Sequence, residues 1–366
     1  TIQNKGPWVY TDTDRMLNLS GNDYLGLAAD ADLRQAFWQS DLAQEQLLGS
    51  ASSRLLTGNF PIYEALEQLL AERFQTQAAL LFNSGYHANI GILPALTNQE
   101  TLLLMDTLVH ASLIDGSRLS KAQVLRYRHN DYQHLEQLLA QHHEQFERLI
   151  IVTESVFSMD GDCADLTRLV ALKKRYPKAA LYVDEAHAIG VYGPSGLGVA
   201  EQAGCIADID ILVGTFGKAL GSVGAYMVGS HLLRDALINT MRPLIFATAL
   251  PPINIAWTYF LFKQLPLYDD KRQYLARISQ HLRQAIERIT GQTNSSQTCI
   301  VPLVVGENHR AVQLAQKLRE AGFYCLPIRP PTVPRGTARV RFSLSADMPI
   351  EEIEALIQVL EDTCKV

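Results

Sequence analysis

Three short apolar runs that stop abruptly at polar side chains constrain this chain more than any other feature. RLIIVTESVF (148–157), AALYVDEA (179–186) and DILVGTF (210–216) read as strands buried on both faces. Between the first two lies DLTRLVALKKRYP (165–177), a helical stretch stopped by Pro177. Strand, helix, strand in that order predicts a parallel sheet with right-handed crossovers. The polar residues where the runs stop are Glu154 and Ser158, then Asp184 and His187, then Thr215 and Lys218. Open α/β sheets bind ligands outside the carboxyl ends of their strands. Three successive strands would therefore aim their reactive groups at one crevice.

Lys218 is the sharpest of these residues. It stands in LVGTFGKALGS (212–222), and an ammonium at the end of a buried strand gains nothing unless it does chemistry or meets an anion. DEAH (184–187) also occurs in helicases, beside a phosphate loop of the form G-x-x-x-x-G-K followed by Ser or Thr. Here Leu212 stands five residues before Gly217, Ala219 follows Lys218, and the lysine comes after the acidic box. The phosphate cradle is absent, which excludes that class.

Lys218 and Asp184 together fit pyridoxal phosphate chemistry instead. That cofactor needs an amine to attach to and an acid that keeps its pyridine nitrogen protonated. Taken singly, either residue would be an ordinary solvated charge. LFNSGYHANIG (81–91) places Ser84, Gly85 and Tyr86 at a turn that opens a helix, where backbone N–H groups suit a phosphate. His110, in DTLVHASLIDG, reads either as a ligand contact or as a satisfied core imidazole.

The rest of the chain supplies the frame. NFPIYEALEQLLAERFQ opens at Asn59 and Pro61 and repeats Ile62, Leu66, Leu69, Leu70 and Phe74 at helical spacing. After about residue 255 comes a long helical segment, then a strand (299–305), a helix (309–322), a strand (338–345) and a helix (349–362). In ARVRFSLS, alternation packs Val340, Phe342 and Leu344 and turns Arg339, Arg341 and Ser343 outward. The expected division is an N-terminal segment 1–27, a large cofactor-binding domain 28–270 and a smaller α/β domain 271–366. A net charge of -6 argues against a nucleic-acid partner. Five scattered cysteines without a CxxC pair argue against zinc, any other metal or a disulfide scaffold. No apolar run approaches the ~20 residues of a membrane span, so a cytoplasmic protein is expected. The chain does not open on Met, and a leading segment is expected before it.

GNDYLGL (21–27), SGYHAN (84–89), HASLIDG (110–116), TESVFSMDGD (153–162), DEAHAIGVYGPSGLG (184–198) and GTFGKALGS (214–222) stand in the order found in the α-oxoamine synthases. The chain resembles that family from about residue 15 to its end. The resemblance implies a fold-type I, aspartate aminotransferase-like α/β transferase with a large, mostly parallel sheet and a smaller C-terminal α/β domain. It implies pyridoxal 5'-phosphate as cofactor, an acyltransferase that joins an amino acid to an acyl thioester with loss of carbon dioxide, and a homodimer with the active site at the subunit interface. Carried over by position, Lys218 holds the cofactor covalently, His110 stacks on it, and Asp184 meets its ring nitrogen. His187 and Ser158 reach its phenolic oxygen. Gly85, Tyr86 and Thr215 hold the phosphate, with Thr248 of FATALPP arriving from the second subunit. Arg341 clamps the amino-acid carboxylate near Asn22, and Arg329 and Thr332 face substrate.

Within the family, IRPPTVPRGTARVRFSLSA (328–346) resembles the branch that uses L-alanine and a pimeloyl thioester. Other branches pair glycine with acetyl-CoA, and some members are non-catalytic subunits that lack the lysine. The chain departs from the pattern at GSASSR (49–54), where relatives are richer in glycine, and at SADM (345–348), where a histidine often follows. Relatives also begin earlier, with an arginine that contacts substrate, so part of the acyl-CoA site is expected to lie outside this sequence.

Overall fold

The computed structural model describes residues 2–364; residue 1 and residues 365–366, the outer ends of the first and last expected segments, lie outside it. Two compact units result. One holds the chain up to Arg34, the short stretch Phe157–Cys163 and everything from Tyr268 on; the other holds Gln35–Val156 and Ala164–Leu267.

The larger unit is built on a seven-stranded sheet. Its spatial order is Ala78–Phe82, Ala225–Gly229, Ile211–Thr215, Ala179–Asp184, Arg148–Glu154, Thr101–Asp106 and Gln123–Tyr127. The last five run parallel, and Ala225–Gly229 runs antiparallel to both its neighbours. Every residue of Thr101–Asp106 and Ile211–Thr215 is buried, as strands covered by helices on both faces must be. The helix Leu166–Arg175 shows how a crossover is made. Asp165 caps it by accepting the Arg168 N–H at 3.0 Å, and Lys173, Lys174 and Arg175 sit where the helix dipole is negative. It buries Leu166, Leu169, Val170 and Leu172. A fully buried leucine stabilises by roughly 1.5–3 kcal/mol, so Leu169→Ala would loosen this crossover most directly.

Register positions the reactive ends. Glu154 stands opposite Asp184, and Asp184 opposite Val213, two residues before Thr215. The three expected strands exist, each shorter than its apolar run.

The smaller unit carries two sheets. Gln3–Lys5, Trp8–Tyr10 and Arg15–Asn18 form an antiparallel meander extended in parallel by Phe323–Tyr324. Ala338–Ser343 lies between Ile300–Gly306 and Pro327–Ile328, antiparallel to both. Helices Asp269–Thr290, Asn308–Glu320 and Ile350–Cys364 belong to the same unit. Val340, Phe342 and Leu344 are buried as the alternation predicts. The other face is not open to water: Arg339 is 4% exposed and Ser343 2%. Phe157–Cys163 accounts for Arg339, which ion-pairs with Asp160 and donates to the Met159 carbonyl. Only Arg341 on that face is half-buried. Among the described residues no helix is long and apolar enough to cross a membrane.

Candidate active site

The bend that carries Lys218 is fixed by Thr215. Its hydroxyl donates to the Gly224 carbonyl at 2.9 Å and accepts the Gly217 N–H at 3.2 Å. Lys218 Nζ then lies 2.9 Å from His187 Nε2, which follows the Asp184 strand. The ends of two adjacent parallel strands thus deliver an amine and an imidazole to one place.

Asp184 is 5% exposed, and a carboxylate so buried must be hydrogen-bonded. Its Oδ1 accepts the Ala186 N–H at 2.8 Å and its Oδ2 accepts from Asn89 Nδ2 at 2.7 Å. Asn89 is buried on the helix Gly85–Leu96 and also bonds Ser112 Oγ and the Tyr182 hydroxyl. Glu154 accepts the His110 backbone N–H. Burial pushes the Glu154 carboxyl up to about 8, with the nearby Asp184 charge acting in the same direction. His110 caps the helix Ala111–Leu119 through Nδ1, which accepts the Ser112 N–H at 3.3 Å. Burial lowers its pKa, partly offset by Asp184. The residue nonetheless keeps an exposed surface.

The third wall is a helix start. Ser84 is extended and caps Gly85–Leu96 by accepting the His87 N–H at 3.1 Å. The N–H groups of the first turn have no partner inside the helix, and they carry the positive end of its dipole. A Cβ on Gly85 would stand 3.7 Å from Thr215 Cβ, so this start and the Thr215 side chain are neighbours. Tyr86 donates its hydroxyl to Asp115 Oδ2 at 2.7 Å.

These groups enclose a cavity of about 210 Å³ lined by Gly85, Tyr86, Asn89, His110, Ser112, Glu154, Asp184, Ala186, His187, Thr215 and Lys218. Seven of the expected residues therefore meet: Gly85, Tyr86, His110, Asp184, His187, Thr215 and Lys218. Ser158, Asn22, Arg329, Thr332 and Arg341 belong to the smaller unit and are not among the lining residues. Thr248 is exposed and lies in the same unit as the cavity, its carbonyl accepting from Asn83 Nδ2 at 2.7 Å. In the smaller unit, Arg341 Nη2 donates to Asn22 Oδ1 at 3.1 Å, and its Nε is buried without an acceptor among the described residues. Arg329 and Thr332 are exposed. Asn89 and Ser112 are site residues that no local pattern in the sequence marks as functional. Asn89 left one signal, a polar residue on the buried face of an otherwise apolar helix.

The family model for aminotransferases of class I and II matches residues 14–360. The 8-amino-7-oxononanoate synthase of Haemophilus ducreyi is 60% identical over 98% of this chain and 94% of its own length. A serine palmitoyltransferase from S. paucimobilis, solved with bound PLP and myriocin, superposes with a TM-score of 0.92 at 30% identity, covering 99% of this chain and 92% of that one. The 8-amino-7-oxononanoate synthase of Francisella tularensis superposes with a TM-score of 0.81 at 25% identity, covering 96% of this chain and 98% of that one.

Proposed function

The chain belongs to the class I and II aminotransferase family, with the fold-type I transferase architecture, and on that premise we propose that it is an acyltransferase of biotin synthesis. It joins L-alanine to a pimeloyl thioester and releases carbon dioxide and the thiol, the 8-amino-7-oxononanoate synthase reaction. The observation that carries the reading is the single cavity in which Lys218, Asp184, His187 and His110 converge beside a helix N-terminus.

That donor set fits pyridoxal 5'-phosphate. An amine matches its aldehyde, a buried carboxylate its ring nitrogen, and free helix N–H groups with a hydroxyl its phosphate. Lys218 would hold it covalently, Asp184 at the ring nitrogen, His110 against the ring face, and Gly85, Tyr86 and Thr215 at the phosphate. His187, and Ser158 by resemblance, would serve the phenolic oxygen. The bound cofactor supplies an electron sink for the pair left behind when the alanine Cα–H bond breaks.

The chain's own groups do the rest. Lys218 Nζ takes the Cα proton and returns one at the end, with His187 Nε2 2.9 Å away as its hydrogen-bond partner. His110 polarises the thioester carbonyl. The new bond joins the alanine Cα to that carbonyl carbon, the thiolate leaves, and the alanine carboxyl departs as carbon dioxide. Arg341, with donors not used by Asn22, is assigned to the alanine carboxylate, where a guanidinium can form paired charge-assisted bonds. Arg329 and Thr332 are assigned to substrate on the resemblance alone.

The larger unit serves as the cofactor-binding domain of a homodimer to which Thr248 contributes across the interface. Exposed Leu47, Leu48, Leu55, Leu56 and Phe246 support that assembly. Their segments are joined by Ile253 N–H to the Leu47 carbonyl at 3.2 Å and Ala249 N–H to the Ser52 carbonyl at 2.9 Å. The cytoplasm is the proposed location for an enzyme of biotin synthesis. The deciding assay is thiol release with alanine or glycine, crossed against acetyl-CoA and pimeloyl-CoA. Release with alanine and pimeloyl-CoA alone is expected, and release only with glycine and acetyl-CoA would overturn the substrate assignment. Lys218→Ala should lose visible cofactor absorbance and turnover together.

A further inference from the structure

Proton positions around His110 follow from the atoms that surround Asn89. Tyr182 is fully buried, and burial pushes its phenol far above the ordinary value, so it keeps its proton. At 2.6 Å from Asn89 Oδ1 that hydroxyl donates to the amide oxygen. The amide is thereby oriented, with Nδ2 toward Asp184 Oδ2 at 2.7 Å and Ser112 Oγ at 2.9 Å. An amide nitrogen has two hydrogens, and these two acceptors use both. Ser112 Oγ thus accepts from Asn89 and keeps its own hydrogen to give, and His110 Nδ1 lies 2.8 Å away to receive it. The Ser112 backbone N–H reaches the same nitrogen at 3.3 Å. Two donors converge on Nδ1, so Nδ1 carries no proton. A neutral imidazole then carries it on Nε2. Asn89 and Ser112 are each 1% exposed, so water does not compete for these bonds.

We propose that the relay Tyr182–Asn89–Ser112 fixes His110 as the Nε2–H tautomer, with Asn89 and Ser112 as positioning residues that tie the state of His110 to the placement of Asp184. Resting on the proposed function, the Nε2–H is then the donor offered to the thioester carbonyl. A neutral donor suits that task beside Lys218, because it offers a hydrogen without a second positive charge. The charged groups that act on the ring are Asp184, Lys218 and Asp115, while Glu154 holds the His110 backbone N–H. Among the described residues, the hydrogen bonds to Nδ1 come from Ser112.

The test is a long-range 1H–15N correlation on holoenzyme labelled with 15N-histidine, with the His110 signals assigned by their loss in His110→Gln. At neutral pH the wild type should show the Nε2–H pattern; an Nδ1–H or doubly protonated pattern overturns the proposal. Ser112→Ala should admit a measurable Nδ1–H population and lower kcat on the order of 10-fold with the alanine KM kept. That is less than the ~10²–10⁴ a proton-handling group itself supplies. Tyr182→Phe keeps the ring and frees the amide, and should also mix the tautomers. An unchanged pattern in both variants overturns the relay. The spectrum needs no turnover, so an inactive wild type with the expected pattern sinks the function alone. An active enzyme with the Nδ1–H pattern sinks this inference alone.

Discussion

Gly116→Ala sets two effects of opposite sign against each other. Gly116 lies inside the helix Ala111–Leu119, where alanine favours the helical backbone by about 1 kcal/mol over glycine. Against that, a Cβ there would stand 2.4 Å from the Asn89 carbonyl oxygen and 3.3 Å from Ile90 Cα. Ordinary contact begins at 3.4 Å, so the helices must part by 3.4 less 2.4 Å, about 1 Å. The obstacle is helix backbone and cannot rotate aside. Overpacking of this kind costs roughly 1–3 kcal/mol, and a backbone obstacle belongs at the upper end. The clash therefore wins by about 2 kcal/mol, which for a unit of this size lowers Tm by roughly 4–8 °C. Function should fall with it, because Asn89 moves. Its bonds to Asp184 and Ser112, 2.7 and 2.9 Å, have less than 1 Å of slack before they leave hydrogen-bonding range.

Gly91→Ala is the matched control. Its Cβ would come even closer to a neighbour, 2.2 Å, but that atom is Met241 Cε at the end of a flexible thioether. Its cost should stay near or below about 1 kcal/mol, since rotamers of methionine can absorb the intrusion. Calorimetric melting of both variants under one set of conditions, with thiol release as the activity readout, decides the matter. A Gly116→Ala protein that melts at or above wild type with unchanged turnover would refute the reasoning, as would a Gly91→Ala protein that melts lower than it.

Arg341→Ala should raise the alanine KM at least about 10-fold while visible cofactor absorbance persists, and an unaltered KM would remove the carboxylate-clamp role. Arg339→Met strands Asp160 without its cation and should cost about 3 kcal/mol in chemical denaturation, toward the low end because the Asp160 side chain is 25% exposed. Adding Asp160→Asn should recover part of that loss; no recovery would show that the pair is not the cause. Glu154 binds its proton more tightly folded than unfolded, since burial raises it from 4.5 to about 8. Its contribution is therefore complete below pH 4.5 and is lost as pH rises toward 8. Glu154→Gln keeps an acceptor for the His110 N–H and should flatten melting temperature against pH over that window in cofactor-stripped protein; the same slope in both proteins would contradict a protonated Glu154.

What the sequence disclosed and what it withheld divide along the distance between partners. Runs such as LIIVT and ILVGT announce themselves because burial on both faces is written in consecutive residues. The same holds for Lys218 and Asp184, polar residues set at the ends of those runs. Ala225–Gly229 went unnoticed as a strand, although it completes the sheet beside Ile211–Thr215, because AYMVG is short and no crossover helix precedes it. Arg339 misled for a different reason. Alternation assigns faces within a strand but says nothing about what covers them, and Asp160 lies 179 residues away along the chain. Asn89 and Ser112, 23 residues apart, are of the same kind, since the orienting role of each is defined only by the other's bond. Residues that do chemistry stand at the ends of local patterns, where burial stops and polarity begins. Residues that orient them are defined by contacts between patterns, and for those a fold had to be built before any role could be assigned.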